Sequence, residues 1–310
     1  MEYVYFKLAR VFVFIIIGYL LGKSKIYNKE RGKLLQDICF NILLPLIVIP
    51  SIWSSELSHA NNFLLLTCFF MSGLFIFTSS FFLGHHLFKF RYNECSVYGF
   101  SACYGNLVGL GIPLAFSVLG EQEIKQYFYL AGFHGFLHIP YSTLLVEISS
   151  RKEENKIKII FNSVVSLFKN SLFLSLSVGL LLNISNISYP ELMEEANELL
   201  SLIFVPLMLI IIGASLSTFY LSRYRKELIT LIILKNLMHP ISGFIIAKYI
   251  FSFDNSLIFI ITLASSLPSG IQTHYFSARY DVLSDLSSAN ILFSTFISIF
   301  TISIVVYLLG

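Results

Sequence analysis

Tyr104-Gly-Asn-Leu-Val-Gly-Leu-Gly-Ile-Pro113 and Ser265-Ser-Leu-Pro-Ser-Gly-Ile-Gln-Thr273 lie in the middle of two otherwise apolar runs. Both strings hold residues that a helix interior rejects. Proline lacks the backbone donor and clashes with the preceding turn; glycine costs about 1 kcal/mol relative to alanine. Gly105, Asn106, Gly109, Gly111 and Pro113 should therefore unwind the first run, with Pro113 in the first turn of a second half-helix. Ser265, Ser266, Pro268, Ser269 and Gly270 should do the same in the second. Pro113 and Pro268 are 155 residues apart, half of a 310-residue chain.

The rest of the chain says what surrounds these strings. It is 56% hydrophobic and only 13% charged, with mean hydropathy +0.77; a soluble domain carries roughly 25% charged residues. Apolar runs long enough for a ~30 Å hydrocarbon layer are expected near 4–22, 34–53, 62–84, 95–119, 125–147, 162–183, 197–217, 227–250, 256–279 and 286–309. The first is followed by further runs and has no evident small-residue cleavage site, so a permanent span is expected and not a cleaved signal. The fold class is thus an all-α membrane protein of ten transmembrane helices, without a soluble domain.

Basic residues alternate along the loops. Fifteen of the 21 lie after spans one, three, five, seven and nine, while the other side holds only Lys7, Arg10, Lys125 and Lys248. By the positive-inside rule the odd-numbered loops face the cytoplasm and both termini lie outside, in the cell membrane. No basic stripe suggests nucleic acid. Cys39, Cys68, Cys95 and Cys103 form no CxxC pair and read as buried small hydrophobes, with no metal and no cofactor expected.

Five spans fall on each side of the polar segment 150–158, which makes the halves an inverted repeat, 1–149 and 159–310. Asn41-Ile-Leu-Leu-Pro45 in span two and Phe204-Val-Pro206 in span seven mark further corresponding positions. Unwound backbone at mid-membrane depth is tolerated only inside protein or beside a wet cavity, so the two breaks in spans four and nine should face each other. Each would leave a half-helix N-terminus suited to a carboxylate, with Asn106, Gln272 and Thr273 adding hydrogen bonds. The alternative is that both are packing kinks.

Asn41–Pro45, Gly105-Asn106 with Gly109 and Pro113, Ile212-Gly-Ala-Ser-Leu216, Lys235 with Pro240, and Pro268 through Ala278 together resemble the auxin efflux carrier family, in order and over nearly the whole chain. That family includes bacterial permeases for malate and malonate, and its fold is similar to that of the sodium–bile acid symporters. The resemblance implies crossed broken helices four and nine holding substrate at the crossing, matched here by Asn106, Pro113 and Pro268. Gln272 stands where the family commonly has Asn. The candidate substrate site is Asn41, Asn106, Gly109, Pro113, Lys235, Ser266, Pro268, Ser269, Gln272 and Thr273.

Ionisable groups at depth cost between about 2.5 and more than about 10 kcal/mol and mark function by default. Lys235 either reaches the cavity and attracts an anion or snorkels to the cytoplasmic surface; His239, four residues on, shares its face. His134 and His138, also four apart, suit interhelical hydrogen bonding, proton coupling or, least well, zinc. His134, His138 and His239 are the coupling candidates. The function expected is secondary transport of a small organic anion, a mono- or dicarboxylate, by alternating access, with spans one, two, six and seven moving against the bundle that holds the crossing. A sodium-coupled symporter of amphipathic acids, an intramembrane enzyme using His134, His138 and Glu147, and a channel are the competing readings. Proton or sodium coupling and a homodimer are left open.

Overall fold

The computed structural model describes residues 2–24, 28–55, 59–149, 156–185, 187–190, 192–219 and 223–310. In chain order the helices are α1 (Glu2–Lys23), α2 (Lys29–Ile38), α3 (Leu44–Trp53), α4 (His59–His86), α5 (Tyr92–Cys103), α6 (Ile112–Val118), α7 (Glu121–Phe133), α8 (Gly135–Ser149), α9 (Lys156–Leu167), α10 (Ser171–Ile184), α11 (Leu192–Leu216), α12 (Arg225–Ile233), α13 (His239–Ile245), α14 (Asn255–Ser266), α15 (Gln272–Tyr280) and α16 (Ser284–Leu309). The described residues form no strand beyond a single isolated bridge. Most of the expected linker, 150–155, lies outside them.

Five helical stretches among the described residues are long and apolar enough to cross a membrane: Glu30–Trp53, Asn62–His86, Met193–Leu216, Arg225–Ile250 and Ser284–Leu309. A sixth arises if Ile157–Ser166 and Ser171–Ile184, bent by 60°, form one span. Leu107–Val118 and Asn255–Ser266 are apolar but shorter. The chain is a multi-pass helical membrane protein.

Local chemistry explains the helix boundaries. Asn28, Asn170 and Asp254 cap α2, α10 and α14 by accepting hydrogen bonds from first-turn amides. Three wide π-type turns, Cys39–Leu43, Leu107–Gly111 and Leu234–Met238, each run directly into a helix with proline in its first turn. A proline ring pushes away the carbonyl four residues back, and a widened turn relieves that clash without ending the helical course. One difference from the sequence reading is the run 125–147, which is interrupted at His134 between α7 and α8. Gly132 and Gly135, on either side, weaken the helix there.

The chain divides into two compact units, each drawing on both halves of the sequence. The first is 1–62, 108–133 and 168–218; the second is 63–107, 134–167 and 219–310. In the first, α1 packs along α11 through glycine: a Cβ on Gly213 would stand 2.0 Å from the Ile15 carbonyl oxygen, and one on Gly18 2.1 Å from that of Ile210. Such close backbone approach is how small residues drive helix association where lipid offers no hydrophobic force. In the second unit, an aromatic core of Phe77, Phe100, Tyr104, Tyr141 and Phe276 joins α4, α5, α8 and α15. Replacing Gly213 with leucine should force α1 off α11 and cost about 3 kcal/mol or more. A thermal unfolding curve in detergent that matches wild type would contradict this packing.

Candidate functional site

The paired parts of the two unwound strings, residues 104–107 and 265–273, lie in the second unit. Helix α5 stops at Cys103 and α14 at Ser266. Between the helix ends, Gly105 and Ser269 form an antiparallel bridge. The Asn106 amide donates to the Pro268 carbonyl at 2.8 Å, and the Gly270 amide donates to the Tyr104 carbonyl at 3.0 Å. Each break thereby supplies partners to backbone groups that the other has freed from its helix, which an apolar surrounding requires.

Side chains complete the lattice. The Ser269 amide donates to Ser294 Oγ at 3.0 Å, and Ser269 Oγ donates to the Ser101 carbonyl at 3.0 Å. Asn290 Nδ2 donates to that same carbonyl, also at 3.0 Å, and Thr273 Oγ1 donates to the Gly270 carbonyl at 2.9 Å. Ser101, Asn290 and Ser294 were absent from the sequence-derived set. The signal for Asn290 and Ser294 was the polar series Ser287, Asn290, Ser294 and Ser298 along the last apolar run, spaced three or four apart and therefore on one helix face.

Lys235 decides the electrostatics. It sits in the π turn ahead of α13 with none of its surface exposed. Its Nζ lies 2.9 Å from His239 Nδ1 and donates to the Ser265 carbonyl at 3.2 Å, at the end of α14. A Cβ on Gly105 would lie 3.5 Å from the same nitrogen. Of the two directions open from sequence, Lys235 takes the inward one, toward the paired breaks. The ion pairs among the described residues are Arg91–Glu94 and Lys125–Glu121, so no carboxylate there balances the Lys235 ammonium. Lysine is almost never fully buried without a counter-charge, and an uncompensated one costs several kcal/mol. The carbonyl end of α14 supplies part of the compensation, since helix C-termini carry partial negative charge.

The remaining expected residues are placed as follows. Ser266 is buried and donates to its own helix at Leu263. Gln272 opens α15 but is exposed, whereas Thr273 points inward. Asn41, exposed, Gly109 and Pro113 belong to the first unit. Pro113 does stand in the first turn of α6, but α6 spans only seven residues, a short helix on which to rest an anion site. His134 stacks on Tyr104, ring centroids 4.7 Å apart, while His138 Nδ1 lies 3.0 Å from the His134 carbonyl. Among the described residues no three His, Cys, Asp or Glu side chains converge as a metal site.

A cavity of about 990 Å³ lies wholly in the first unit and includes Arg10, Glu121, Lys125, Glu194, Asn197 and Glu198 in its lining. Its carboxylates outnumber its cations, and Lys125 is bound to Glu121 at 2.7 Å. That balance disfavours an anion. The paired breaks beside Lys235 are the better candidate.

Gly270 keeps the two breaks close, since a Cβ there would meet the Gly105 carbonyl oxygen at 3.0 Å and the Tyr104 ring at 3.1 Å. Replacing Gly270 with valine should part the two breaks and lower stability by about 1–3 kcal/mol. Gln272→Ala, at an exposed position, should stay within about 0.5 kcal/mol of wild type. Equal melting temperatures for the two variants would contradict the pairing.

Comparisons with known proteins agree with a transport role. A family model described as membrane transport protein, of the auxin efflux carrier-like permeases, matches residues 3–306. A Rhizobium meliloti protein provisionally named a malonate transporter is 20% identical over 298 residues, covering 96% of this chain and 93% of that protein. An uncharacterized transporter of Methanocaldococcus jannaschii is 24% identical over 302 residues, covering 95% of each. These relatives are transporters and not enzymes. With a family match that leaves out only a few residues at either end, the chain belongs to the membrane transport protein family of auxin efflux carrier-like permeases.

Proposed function

We propose that the protein is a secondary carrier that moves a small organic anion, a mono- or dicarboxylate, by alternating access. The observation that carries this reading is the fully buried Lys235 side chain, set beside two paired backbone breaks with no carboxylate in ion-pair contact with it. A substrate carboxylate is the counter-charge such a site lacks. Asn106, Ser269 and Thr273 then orient it, with Pro268 holding the break open. The name of the Rhizobium meliloti relative makes malonate the first compound to try.

The chain is read as ten spans in two inverted five-helix repeats, 1–149 and 159–310, with broken spans four and nine. It lies in the cell membrane with both termini outside. The first compact unit contains spans one, two and seven and most of span six and is read as the moving bundle; the second holds the paired residues 104–107 and 265–273. Sodium coupling is disfavoured because a lysine cation already stands at the carbonyl end of α14, where a metal ion would otherwise be drawn.

Asn106→Ala removes a side chain and leaves the Asn106–Pro268 backbone bond in place. It should fold normally and bind the preferred carboxylate at least tenfold more weakly, about 1.4 kcal/mol. A thermal-shift screen of malonate, malate and monocarboxylates on wild type and variant reads this, and unchanged affinity sinks the site. Transport into proteoliposomes should proceed equally with sodium or potassium outside; strict dependence on sodium would favour the symporter reading.

A further inference from the structure

The Lys235 ammonium offers three N–H groups. Two are engaged, by His239 Nδ1 and by the Ser265 carbonyl. If Nδ1 of His239 accepts from lysine, the neutral imidazole carries its own proton on Nε2. That nitrogen is buried and has no hydrogen-bond partner among the described residues. His138 is its complement. Its Nδ1 lies 3.0 Å from the His134 carbonyl, an acceptor, so Nδ1 donates and Nε2 of the neutral ring is left as an acceptor. His138 Nε2 also has no partner among the described residues. Both imidazoles lie against the same ring, Phe69, with centroids 6.0 Å away for His239 and 6.1 Å for His138. Both rings thus pack on one aromatic side chain in the second unit, with His138 Nε2 turned to the backbone at Gly73, where an added Cβ would stand 2.3 Å from it.

The surroundings of Lys235 restrict where its proton can go. Its own segment presents His239. The end of α5 presents the Cys103 thiol and the Tyr104 phenol, the turn before α8 presents His134, and α8 presents His138. From α14 come the Ser265 carbonyl and hydroxyl, and α4 contributes Phe69. Asn290 and Ser294 of α16, buried in the same unit, do not titrate in the accessible range. No carboxylate is in this set.

We propose that Lys235 and His239 are the proton-loading pair of the carrier, so that one proton enters the site with each substrate anion and leaves with it. This rests on the anion-carrier reading above. With anion bound, Lys235 is an ammonium and the charges cancel. With the anion gone, Nζ has given its proton to the departing carboxylate, which carries it out, and an uncharged amine held by His239 Nδ1 and the Ser265 carbonyl remains in a site free of bare charge. The empty site then resets without burying an unpaired cation, a state that low-dielectric surroundings penalise. Lys235 touches substrate, and His239 acts through Lys235 as a positioning residue.

The test uses the full-length protein, first in detergent and weak buffer with a pH indicator, then in proteoliposomes loaded with a pH-sensitive dye. The probes are malonate, malate and acetate, with protein-free liposomes as the control for passive acid entry. Wild type should take up one proton for each anion bound, and an inward proton gradient should drive accumulation. Lys235→Arg carries a charge that cannot be discharged. It should bind anion without proton uptake, and its ratio of gradient-driven uptake to anion exchange should fall at least tenfold. If Lys235→Arg does not fold, His239→Gln should slow proton release at least tenfold with little effect on the affinity for anion. Anion uptake by wild type with no accompanying proton overturns the proposal and leaves the carrier intact. So does a Lys235→Arg protein that accumulates anion on a gradient as wild type does. A wild type that binds none of the three probes overturns the anion-carrier reading itself, and this proposal with it.

Discussion

Backbone amides and carbonyls freed inside a bilayer must find partners within the protein, because lipid offers none. That requirement organises the second unit. Helices α5 and α14 both end where glycine, serine and proline make further helix unfavourable, and each end supplies the other's missing partners. Ser101, Ser269, Asn290 and Ser294 fasten the pair from the side. The result is a small island of polar backbone at the centre of an apolar unit. Lys235 is tolerated beside it because the terminal carbonyls of α14 offer its ammonium an acceptor.

A buried cation in that setting is a standing electrostatic demand. Surface pairs such as Arg91–Glu94 contribute little to stability, but an ammonium with no nearby carboxylate favours whatever negative charge can approach. Under the carrier reading proposed above, charge and not shape is the first selector, and the neutral hydrogen-bonding groups around Lys235 act second. The breaks differ in this from the cavity of the first unit, where acidic side chains exceed basic ones and Lys125 is already paired.

Much of this was legible in the sequence. The breaks were, because Gly105, Pro113, Pro268 and Gly270 carry their conformational cost wherever they stand. The spans Glu30–Trp53, Asn62–His86, Met193–Leu216, Arg225–Ile250 and Ser284–Leu309 follow from length and hydropathy alone. The direction of Lys235 was not legible. The π turn at Leu234–Met238 departs from the 3.6-residue period on which any assignment of helix faces depends. The exposure of Gln272 was not legible for a related reason, since one step at the start of α15 separates an exposed side chain from the buried Thr273. Asn290 and Ser294 were hidden because serine in an apolar helix usually bonds back to its own turn, as Ser298 does here to Thr295. Spacing does not say which hydroxyl also reaches across. The interruption at His134 rests on two flanking glycines in a run that otherwise reads as continuous.

The most direct measurement is an experimental structure of the full-length protein with its preferred carboxylate bound. The carboxylate should lie within hydrogen-bonding reach of Lys235 Nζ, about 2.7–3.2 Å, beside the Gly105–Ser269 bridge. A carboxylate seated instead against Arg10 and Lys125 in the first unit, with Lys235 still engaged only by His239 and Ser265, would contradict the assignment of the site.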